Sequence, residues 1–305
     1  MLKVFGHKAP DTDATASAII WSWYLTNTGS DAQPYVLGTP NTEAAFVLSR
    51  WGFETPELLS ELVKDEPVVV VDTNNPAELP DGINGAAIRQ LIDHHKLVGG
   101  LETKEPIDIT VRPVASTATI MAGLMGDRLD QAPDSIKGLI LSCVLSDTLE
   151  FRSPTTTEED RALAAHLAAD LNLNVSEYAA QMFEAKSDVS AFSDAELLRM
   201  DSKEYAVEGT KFRVSVLETT SPKIVLDRKQ SLMGQMPDVA TEDGVDHVLL
   251  FVVDILNEEA TLLVPNDVVS GVATASFGVS VDGDTVTLPG IVSRKKQIIP
   301  NLKMA

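Results

Sequence analysis

The four consecutive valines at residues 68–71 constrain the fold of this chain more than any other stretch. A continuous β-branched run of this kind is typical of a strand that is buried on both faces, as in a parallel sheet. The sequence predicts further strands at residues 2–5, 34–37 and 86–92, with helical patterns between them. This alternation predicts an α/β fold whose N-terminal domain has a mostly parallel sheet flanked by helices.

Apolar patterns and end signals predict the helices of this domain. Residues 14–25 and 42–51 are rich in alanine and large apolar residues, as in helices that pack on a sheet. Thr55, Pro56 and Glu57 supply an N-cap, a proline at the first helical position and an acidic first turn. These three residues predict another helix that runs to about residue 64.

Capping residues predict three later helices. Ser116 is the expected N-cap of a helix through residue 124, and Thr157 with Asp160 resembles a capping box that opens a helix to residue 169. Ser176 is the expected cap of a helix that ends near residue 186. The apolar run at residues 138–146 fits a helix or a strand by pattern alone.

A change in composition after residue 186 predicts a second domain. Ser193 and Glu196 form a capping box that restarts a helix, and the pattern then becomes rich in strands, with a hairpin turn at residues 257–259. We therefore predict a first domain at residues 1–188, a linker at 189–192 and a smaller α+β domain at 193–305. The strands predicted for the second domain lie at residues 212–217, 245–255, 260–264 and 285–288.

Composition limits the classes of partner. The 305 residues include 45 acidic and 24 basic side chains, a formal net charge of −21. This surplus of negative charge argues against broad binding to nucleic acid or to anionic membranes. No apolar run approaches the roughly 20 residues that a transmembrane helix needs. The one cysteine, Cys143, lies in an apolar run and is expected to be buried; the lack of a disulfide framework favours the cytoplasm.

Three residues that can bind metals follow the ends of predicted strands. His7 comes shortly after the first strand, Asp72 directly follows the valines, and Asp93 follows the strand at 86–92. Ligands of open α/β sheets bind beyond the carboxyl ends of the strands. The sequence therefore predicts that these side chains meet in one site. The alternative is that each aspartate only caps the helix after its strand.

Two short motifs supply further candidate ligands. His7, Asp11 and Asp13 lie within seven residues, and the triplet Asp-His-His stands at residues 93–95. Neighbouring side chains of an extended segment point to opposite faces, so one metal ion is not expected to bind all three members of the triplet. A bend would place one histidine on a metal and the other toward a substrate. The alternative is a surface pair of histidines beside a charged turn.

The combined ligand set predicts a pair of metal ions. Asp147 adds a further carboxylate, and several converging carboxylates repel one another unless cations neutralise them. Carboxylate and imidazole ligands suit Mn²⁺, Mg²⁺, Co²⁺ or Zn²⁺. There are too many of them for one tetrahedral site, so we infer two ions about 3.5–4 Å apart that share a carboxylate. Such a pair holds a hydroxide for in-line attack on phosphorus.

The segment Ser-Arg-Lys-Lys-Gln at residues 293–297 is a positive island in an acidic chain, because no acidic residue follows Asp284. An arginine fork matches phosphate oxygens, and lysines add point charges. Apolar residues flank the segment on both sides, which favours a place within the fold over a solvated tail or a nucleic-acid contact. Lys203, taken alone, fits a solvated lysine better than a ligand.

These motifs together resemble one known family. Gly-His-Lys-x-Pro-Asp-Thr-Asp at 6–13, Val-Asp at 71–72, Asp-His-His at 93–95, Ser-Asp-Thr at 146–148 and the basic segment at 293–297 span nearly the whole chain in this order. They resemble the family II, manganese-dependent inorganic pyrophosphatases of the DHH phosphoesterase superfamily. The last motif is the specific one, because DHH nucleases and cyclic-dinucleotide phosphodiesterases end in a domain with a Gly-Gly-His motif, which this chain lacks.

The resemblance implies a role for each candidate residue. One metal ion would be bound by His7, Asp11 and Asp72. The other would be bound by Asp13, Asp72, His94 and Asp147, so that Asp72 bridges the two ions. Asp93 would orient its neighbours. The substrate would be met by His95, Lys203, Arg294 and Lys295.

The resemblance further implies hydrolysis of pyrophosphate to two orthophosphates. It implies two Mn²⁺ ions per subunit with Co²⁺ or Mg²⁺ as substitutes, more Mg²⁺ arriving with the substrate, a helix at 138–146, a DHHA2-type second domain and a homodimer through the N-terminal domains. Ala9 departs from the common asparagine of the family and Thr73 from the frequent histidine. Two other functions stay open: an exopolyphosphatase acting on short chains, and a non-catalytic metal-dependent anion sensor.

Overall fold

The valine run forms strand β4 (Pro67–Val71) inside a sheet, and all four valines are buried. The computed structural model describes residues 1–304. The chain divides into two compact units, Met1–Ala185 and Lys186–Ala305. Within the described residues, no helix combines the length and the apolar character that crossing a bilayer requires.

The first unit contains six strands and six long helices. Its other strands are β1 (Leu2–Phe5), β2 (Ala32–Val36), β3 (Glu57–Leu58), β5 (Ala87–Asp93) and β6 (Asp108–Val111). Its helices are α1 (Thr12–Asn27), α2 (Thr42–Trp51), α3 (Thr117–Met125), α4 (Asp134–Thr148), α5 (Glu158–Asp170) and α6 (Val175–Lys186). The strand order is β3-β2-β1-β4-β5-β6, and each neighbouring pair is parallel, which confirms the predicted α/β sheet.

Most predicted helices and caps of this unit are confirmed. Ser116 caps α3, and Thr157 with Asp160 forms the capping box of α5. The apolar run at 138–146 lies within α4, so the ambiguity between helix and strand is resolved in favour of a helix. The predicted cap of α6 is wrong, because Ser176 lies inside the helix and the side chain of Asn174 accepts the N–H of Glu177 instead.

The predicted helix at residues 55–64 is also wrong. Glu57–Leu58 forms β3, which pairs with β2, and the N–H of Leu59 donates to the carbonyl of Val36. Leu59 is buried, and Leu62 packs against the same apolar core on one face of the sheet. Pairing at the edge of the sheet and burial of these leucines outweigh the local signal of an N-cap and a proline.

The second unit is built on a mixed sheet of five strands. The strands are β7 (Ser202–Val207), β8 (Thr210–Thr219), β9 (His247–Asp254), β10 (Glu259–Leu263) and β11 (Thr285–Pro289), in the order β11-β10-β9-β8-β7. The helices are α7 (Asp194–Arg199), α8 (Pro222–Leu226), α9 (Lys229–Asp243) and α10 (Asp267–Phe277). Strands β8 and β9 are parallel, and the other pairs are antiparallel. This confirms the predicted α+β class.

Both faces of this second sheet are covered. Leu250 and Phe251 are neighbours on β9, so their side chains point to opposite faces, and each belongs to a different apolar core. The predicted turn at 257–259 joins β9 to β10, with Glu258 in the left-handed region at φ 52°. Strand β7 and helices α8 to α10 were not predicted, because their patterns mix polar and apolar residues.

Candidate metal centre

The ends of three adjacent strands meet at the predicted site. Asp72 follows β4, Asp93 is the last residue of β5, and His7 lies two residues beyond β1. Because β1, β4 and β5 are parallel neighbours, their carboxyl ends lie at one edge of the sheet. The Nε2 atom of His7 is 3.5 Å from Oδ2 of Asp72. The structure therefore brings His7 and Asp72 together.

The loop between β1 and α1 carries two further carboxylates. Asp11 is the N-cap of α1 and accepts the N–H of Ala14 at 2.9 Å, while Asp13 lies in the first turn. A Cβ on Gly6 would lie 2.7 Å from the Cβ of Ala14, so only glycine lets this loop pass so close to the helix. The close approach holds the loop, and the ligands that it carries, against the start of α1.

Asp72 lies at the centre of the candidate ligands. It is buried, at 1% exposure, and its backbone is in the left-handed region at φ 58°, which aspartate tolerates better than most residues. Its Oδ2 faces His7, whereas its Oδ1 lies 3.4 Å from Nε2 of His94 and accepts the hydroxyl of Thr117 at 3.0 Å. The two oxygens of one carboxylate thus face two different imidazoles, as a bridging ligand requires.

Asp13 is oriented by the start of α3. Its Oδ2 accepts the N–H of Thr117 at 2.7 Å, and its Oδ1 accepts the hydroxyls of Ser17 and Ser116 at 3.1 and 3.0 Å. The same Oδ2 lies 4.0 Å from Nε2 of His94. These donors fix both oxygens of a fully buried carboxylate next to a candidate metal ligand.

The six predicted ligands and His95 fall into overlapping groups. In each group one nitrogen or oxygen atom per residue lies within 4.8 Å of the corresponding atoms of the other members. The groups are His7, Asp11 and Asp72; Asp13, His94 and Asp147; and Asp72, His94 and His95. Asp72 and His94 each belong to two groups, so the site is continuous and not a set of separate caps.

Hydrogen bonds distinguish the two neighbouring histidines. Nδ1 of His94 lies 3.2 Å from the carbonyl of Val114, which leaves Nε2 as the atom that faces Asp72. Nδ1 of His95 and the backbone N–H of His95 both bond to Oδ1 of Asp93, at 2.9 and 3.0 Å. The His95 side chain is 53% exposed, so its Nε2 is free to meet a molecule from solvent.

The electrostatics of this site favour bound cations. Burial and repulsion from Asp13 and Asp72 raise the pKa of Asp147 well above its ordinary value. Burial and the charge of Asp72 raise the pKa of Asp13 to about 6. The buried Oδ2 of Asp147 has no hydrogen-bond partner among residues 1–304. An acidic cluster that suppresses its own ionisation fits divalent cations, which would remove the repulsion.

The histidines carry the compensating positive charge. Burial alone would lower the pKa of His7, but hydrogen bonds and charge from Asp11 and Asp72 raise it to about 10. Burial opposes the charge of His94 as well, yet Asp72 and Asp13 raise its pKa to about 9. Burial also opposes ionisation of Asp72, but the two histidines hold its pKa below the ordinary value. The protons on these two imidazoles thus occupy ring nitrogens that could instead bind metal ions.

Sequence reasoning did not identify two buried residues that hold this site. Oε2 of Glu43 accepts the hydroxyls of Thr12 and Ser146, at 2.9 and 2.7 Å. Asn74 donates from Nδ2 to Oδ2 of Asp93 at 2.5 Å. The same amide of Asn74 accepts the N–H of residue 98 at 2.8 Å, which holds the chain after the Asp-His-His triplet. A single buried polar residue has no periodic signal, so neither was found from the sequence.

Three of the four predicted substrate-binding residues, all except His95, lie in the second unit. Lys203 is on β7 and Lys295 is in the short helical turn Arg294–Ile298; both are exposed. Arg294 is largely buried and bonds to Asp201. Their predicted contact with a substrate stays a prediction.

Comparisons with known proteins match both units. Residues 2–147 match the model of the DHH family, N-terminal domain, and residues 180–305 match the DHHA2 domain. A relative from Deinococcus radiodurans, named "Probable manganese-dependent inorganic pyrophosphatase", is 42% identical over 309 residues, which cover 99% of this chain and 98% of the relative.

Two solved structures are also similar to this chain. A crystal structure from Methanococcus jannaschii, described as a candidate family II inorganic pyrophosphatase, is 34% identical with a TM-score of 0.62, over 99% of this chain and 98% of that one. An exopolyphosphatase-related protein from Bacteroides fragilis is 13% identical with a TM-score of 0.52, over 98% and 89% of the two chains. The second similarity shows a shared fold alone.

Proposed function

Because the chain belongs to the family II, manganese-dependent inorganic pyrophosphatases of the DHH superfamily, we propose that it hydrolyses inorganic pyrophosphate to two orthophosphates. It is a hydrolase by this membership. The observation that carries the proposal is the position of Asp72, whose two oxygens face His7 and His94 separately. A site of two metals that share one carboxylate is typical of enzymes in which water or hydroxide attacks phosphorus.

The residues of the site fit two divalent cations. His7, Asp11 and Asp72 would hold one ion, and Asp13, Asp72, His94 and Asp147 would hold the other. Oxygen and imidazole donors without thiolate suit Mn²⁺, with Co²⁺ or Mg²⁺ as substitutes. When bound, the two ions would lower the pKa of a water for attack on phosphorus and offset the charge of the phosphates.

The chain's own residues would orient the reaction. One P–O bond forms to the oxygen of water while the bridging P–O bond of pyrophosphate breaks. His95 is held at Nδ1 by Asp93 and offers Nε2 to a phosphate oxygen. Lys203, Arg294 and Lys295 would neutralise the departing phosphate, with further Mg²⁺ carried in by the substrate. Positioning and charge stabilisation of this kind supply most of the catalysis in phosphoryl transfer.

We also propose a homodimer through the N-terminal units and a cytoplasmic location. Strand β6 is at one edge of the parallel sheet, and its Ile109 is 58% exposed. An edge strand with an exposed apolar side chain offers a surface for a second chain. The lone buried Cys143 supports a reducing compartment.

A phosphate-release assay tests the reaction. Protein freed of metals with a chelator is supplied with Mn²⁺, Co²⁺ or Mg²⁺ in turn, and pyrophosphate is compared with tripolyphosphate as substrate. We expect activity to return with Mn²⁺ and to favour pyrophosphate. Clear preference for tripolyphosphate would indicate an exopolyphosphatase. Phosphate binding without turnover under any metal would indicate an anion sensor.

A further inference from the structure

The guanidinium of Arg294 is held by Asp201. Its Nη2 donates to Oδ1 of Asp201 at 2.7 Å, and its Nη1 donates to the backbone carbonyl of the same residue. The Arg294 side chain is 14% exposed, whereas that of Asp201 is 61% exposed. An arginine that is predicted to bind phosphate is thus tied to one acidic residue at the surface of its own unit.

The backbone of Asp201 is shaped for this contact. The residue lies between α7 and β7, and its φ of 36° is in the region that few residues other than glycine adopt. Its carbonyl also accepts the N–H of Val216 at 3.3 Å. Strained residues of this kind persist where the surrounding structure holds them, and they cluster at functional sites.

The backbone at the other end of the contact is fixed as well. Oε1 of Gln297 accepts the N–H groups of Val292 and Ser293, both at 2.9 Å. Nε2 of Gln297 donates to the carbonyl of Gly290 at 2.6 Å. The turn that carries Arg294 is therefore closed by Gln297, and Asp201 then fixes the far end of the Arg294 side chain.

We propose that Asp201 is a positioning residue that presents Arg294 to a phosphate group of the substrate. This inference rests on the proposed function and names a residue that the family motifs leave aside. A guanidinium has five N–H donors, and Asp201 engages two of them, which leaves three for phosphate oxygens. Lys203 lies on β7, two residues beyond Asp201. The contact between Asp201 and Arg294 therefore connects the turn that carries Arg294 to the strand that carries Lys203.

The opposite effect would be competition, in which the Asp201 carboxylate occupies Arg294 and weakens phosphate binding. A competing carboxylate would be expected to take the bidentate edge of the guanidinium, as carboxylates do in their strongest pairs with arginine. Here the carboxylate accepts one N–H, and the second bond goes to a backbone carbonyl. The geometry therefore favours orientation over competition, and the two have opposite signs in an experiment.

Steady-state kinetics with pyrophosphate separate the two effects. Asp201→Ala should raise KM about tenfold and lower kcat by a smaller factor, because a group that binds phosphate and neutralises the departing phosphate loses its alignment. Asp201→Asn should stay near the parent KM, because its amide oxygen still accepts from Nη2. Glu204→Gln is the matched control, since Glu204 lies three residues beyond Asp201, on β7, and accepts from Arg213 at 2.9 Å. A lower KM in both Asp201 variants would overturn the proposal.

A double-mutant cycle tests whether Asp201 acts through the arginine. Arg294→Ala should raise KM more than Asp201→Ala does, and adding Asp201→Ala to it should have no further effect. An equal rise of KM from Asp201→Ala in both backgrounds would contradict the assignment. Urea unfolding of each variant shows whether the second unit still folds. If Asp201→Ala does not fold, Asp201→Asn provides the test.

Binding provides a readout that does not depend on turnover. Calorimetric titration with methylenediphosphonate, whose P–C–P bridge water does not cleave, and Mg²⁺ should show about tenfold weaker binding to Asp201→Ala than to the parent protein. If the parent binds this analogue but does not hydrolyse pyrophosphate, the proposed reaction fails while this difference still tests Asp201. Equal affinities, or no binding by the parent protein, would overturn the proposal.

Discussion

Glu43 accepts the hydroxyl of Ser146 at 2.7 Å, across 103 residues of sequence. The same oxygen accepts the hydroxyl of Thr12 at 2.9 Å. Thr12 lies between two of the proposed ligands at the start of α1, and Ser146 directly precedes another near the end of α4. A fully buried carboxylate on α2 thus fixes two ligand-bearing helices relative to each other.

Replacement of Glu43 should weaken metal binding. Glu43→Ala leaves two hydroxyls without their acceptor, and loss of such an outer contact lowers metal affinity about 10–100-fold. Glu43→Gln should recover much of the affinity, because its amide oxygen can still accept from both hydroxyls. The free Mn²⁺ signal in electron paramagnetic resonance measures the affinity directly.

A stability control accompanies this experiment. Tyr178→Phe removes a buried hydroxyl that bonds to Ser142 and Trp51 at 2.6 and 2.8 Å, apart from the proposed ligands. This variant should lose about 1 kcal/mol of unfolding free energy and keep its Mn²⁺ affinity. Parent-like affinity in Glu43→Ala, or weakened affinity in Tyr178→Phe, would contradict the role assigned to Glu43.

Asp72→Ala should remove both metal ions together, because its two oxygens face the two halves of the site. We expect the hydrolysis rate to fall by on the order of a thousandfold or more, since the metals supply several kcal/mol of transition-state stabilisation. Manganese per chain is measured by elemental analysis after dialysis. Asp130→Ala, which removes an exposed carboxylate bonded to His166, should keep both metal content and rate.

The structure brings together side chains that the sequence had placed in one site, but it departs from several predicted elements of the fold. His7, Asp72 and Asp93 were expected together because parallel strands end at one edge of a sheet, and this rule depends only on recognising three strands. The helix at 55–64 was wrong because a local N-cap signal cannot report pairing with β2. Strand β6 was missed because it has only four residues, of which two are exposed and two are partly buried.

The residues that hold the ligands could not be predicted for a different reason. Glu43 contacts Ser146 only because α2 and α4 pack together, and Asn74 contacts Asp93 only because β4 and β5 are neighbours. Such contacts depend on tertiary structure and leave no spacing rule in the chain. The Asp201–Arg294 contact is of the same kind, since 93 residues separate its members.

Asp93→Asn should lower the pKa of His95. The hydrogen bond that the His95 ring donates to the Asp93 carboxylate raises that pKa above its ordinary value of 6.5, so the imidazole keeps its proton to higher pH. In the metal-free variant the His95 ring signal in an NMR titration should shift at a lower pH than in the parent. An unchanged His95 titration would show that Asp93 has no effect on its charge.

Metal binding should release protons and should strengthen as pH rises. In the metal-free protein the pKa values of His7 and His94 are about 10 and 9, so both are protonated at pH 7, and the raised pKa of Asp147 favours a third proton. Metal ligands must be deprotonated, so Mn²⁺ should displace about two to three protons at neutral pH. Calorimetry in two buffers of different ionisation enthalpy counts them. His166→Ala should leave the count unchanged, and binding without proton release would contradict the proposed ligand set.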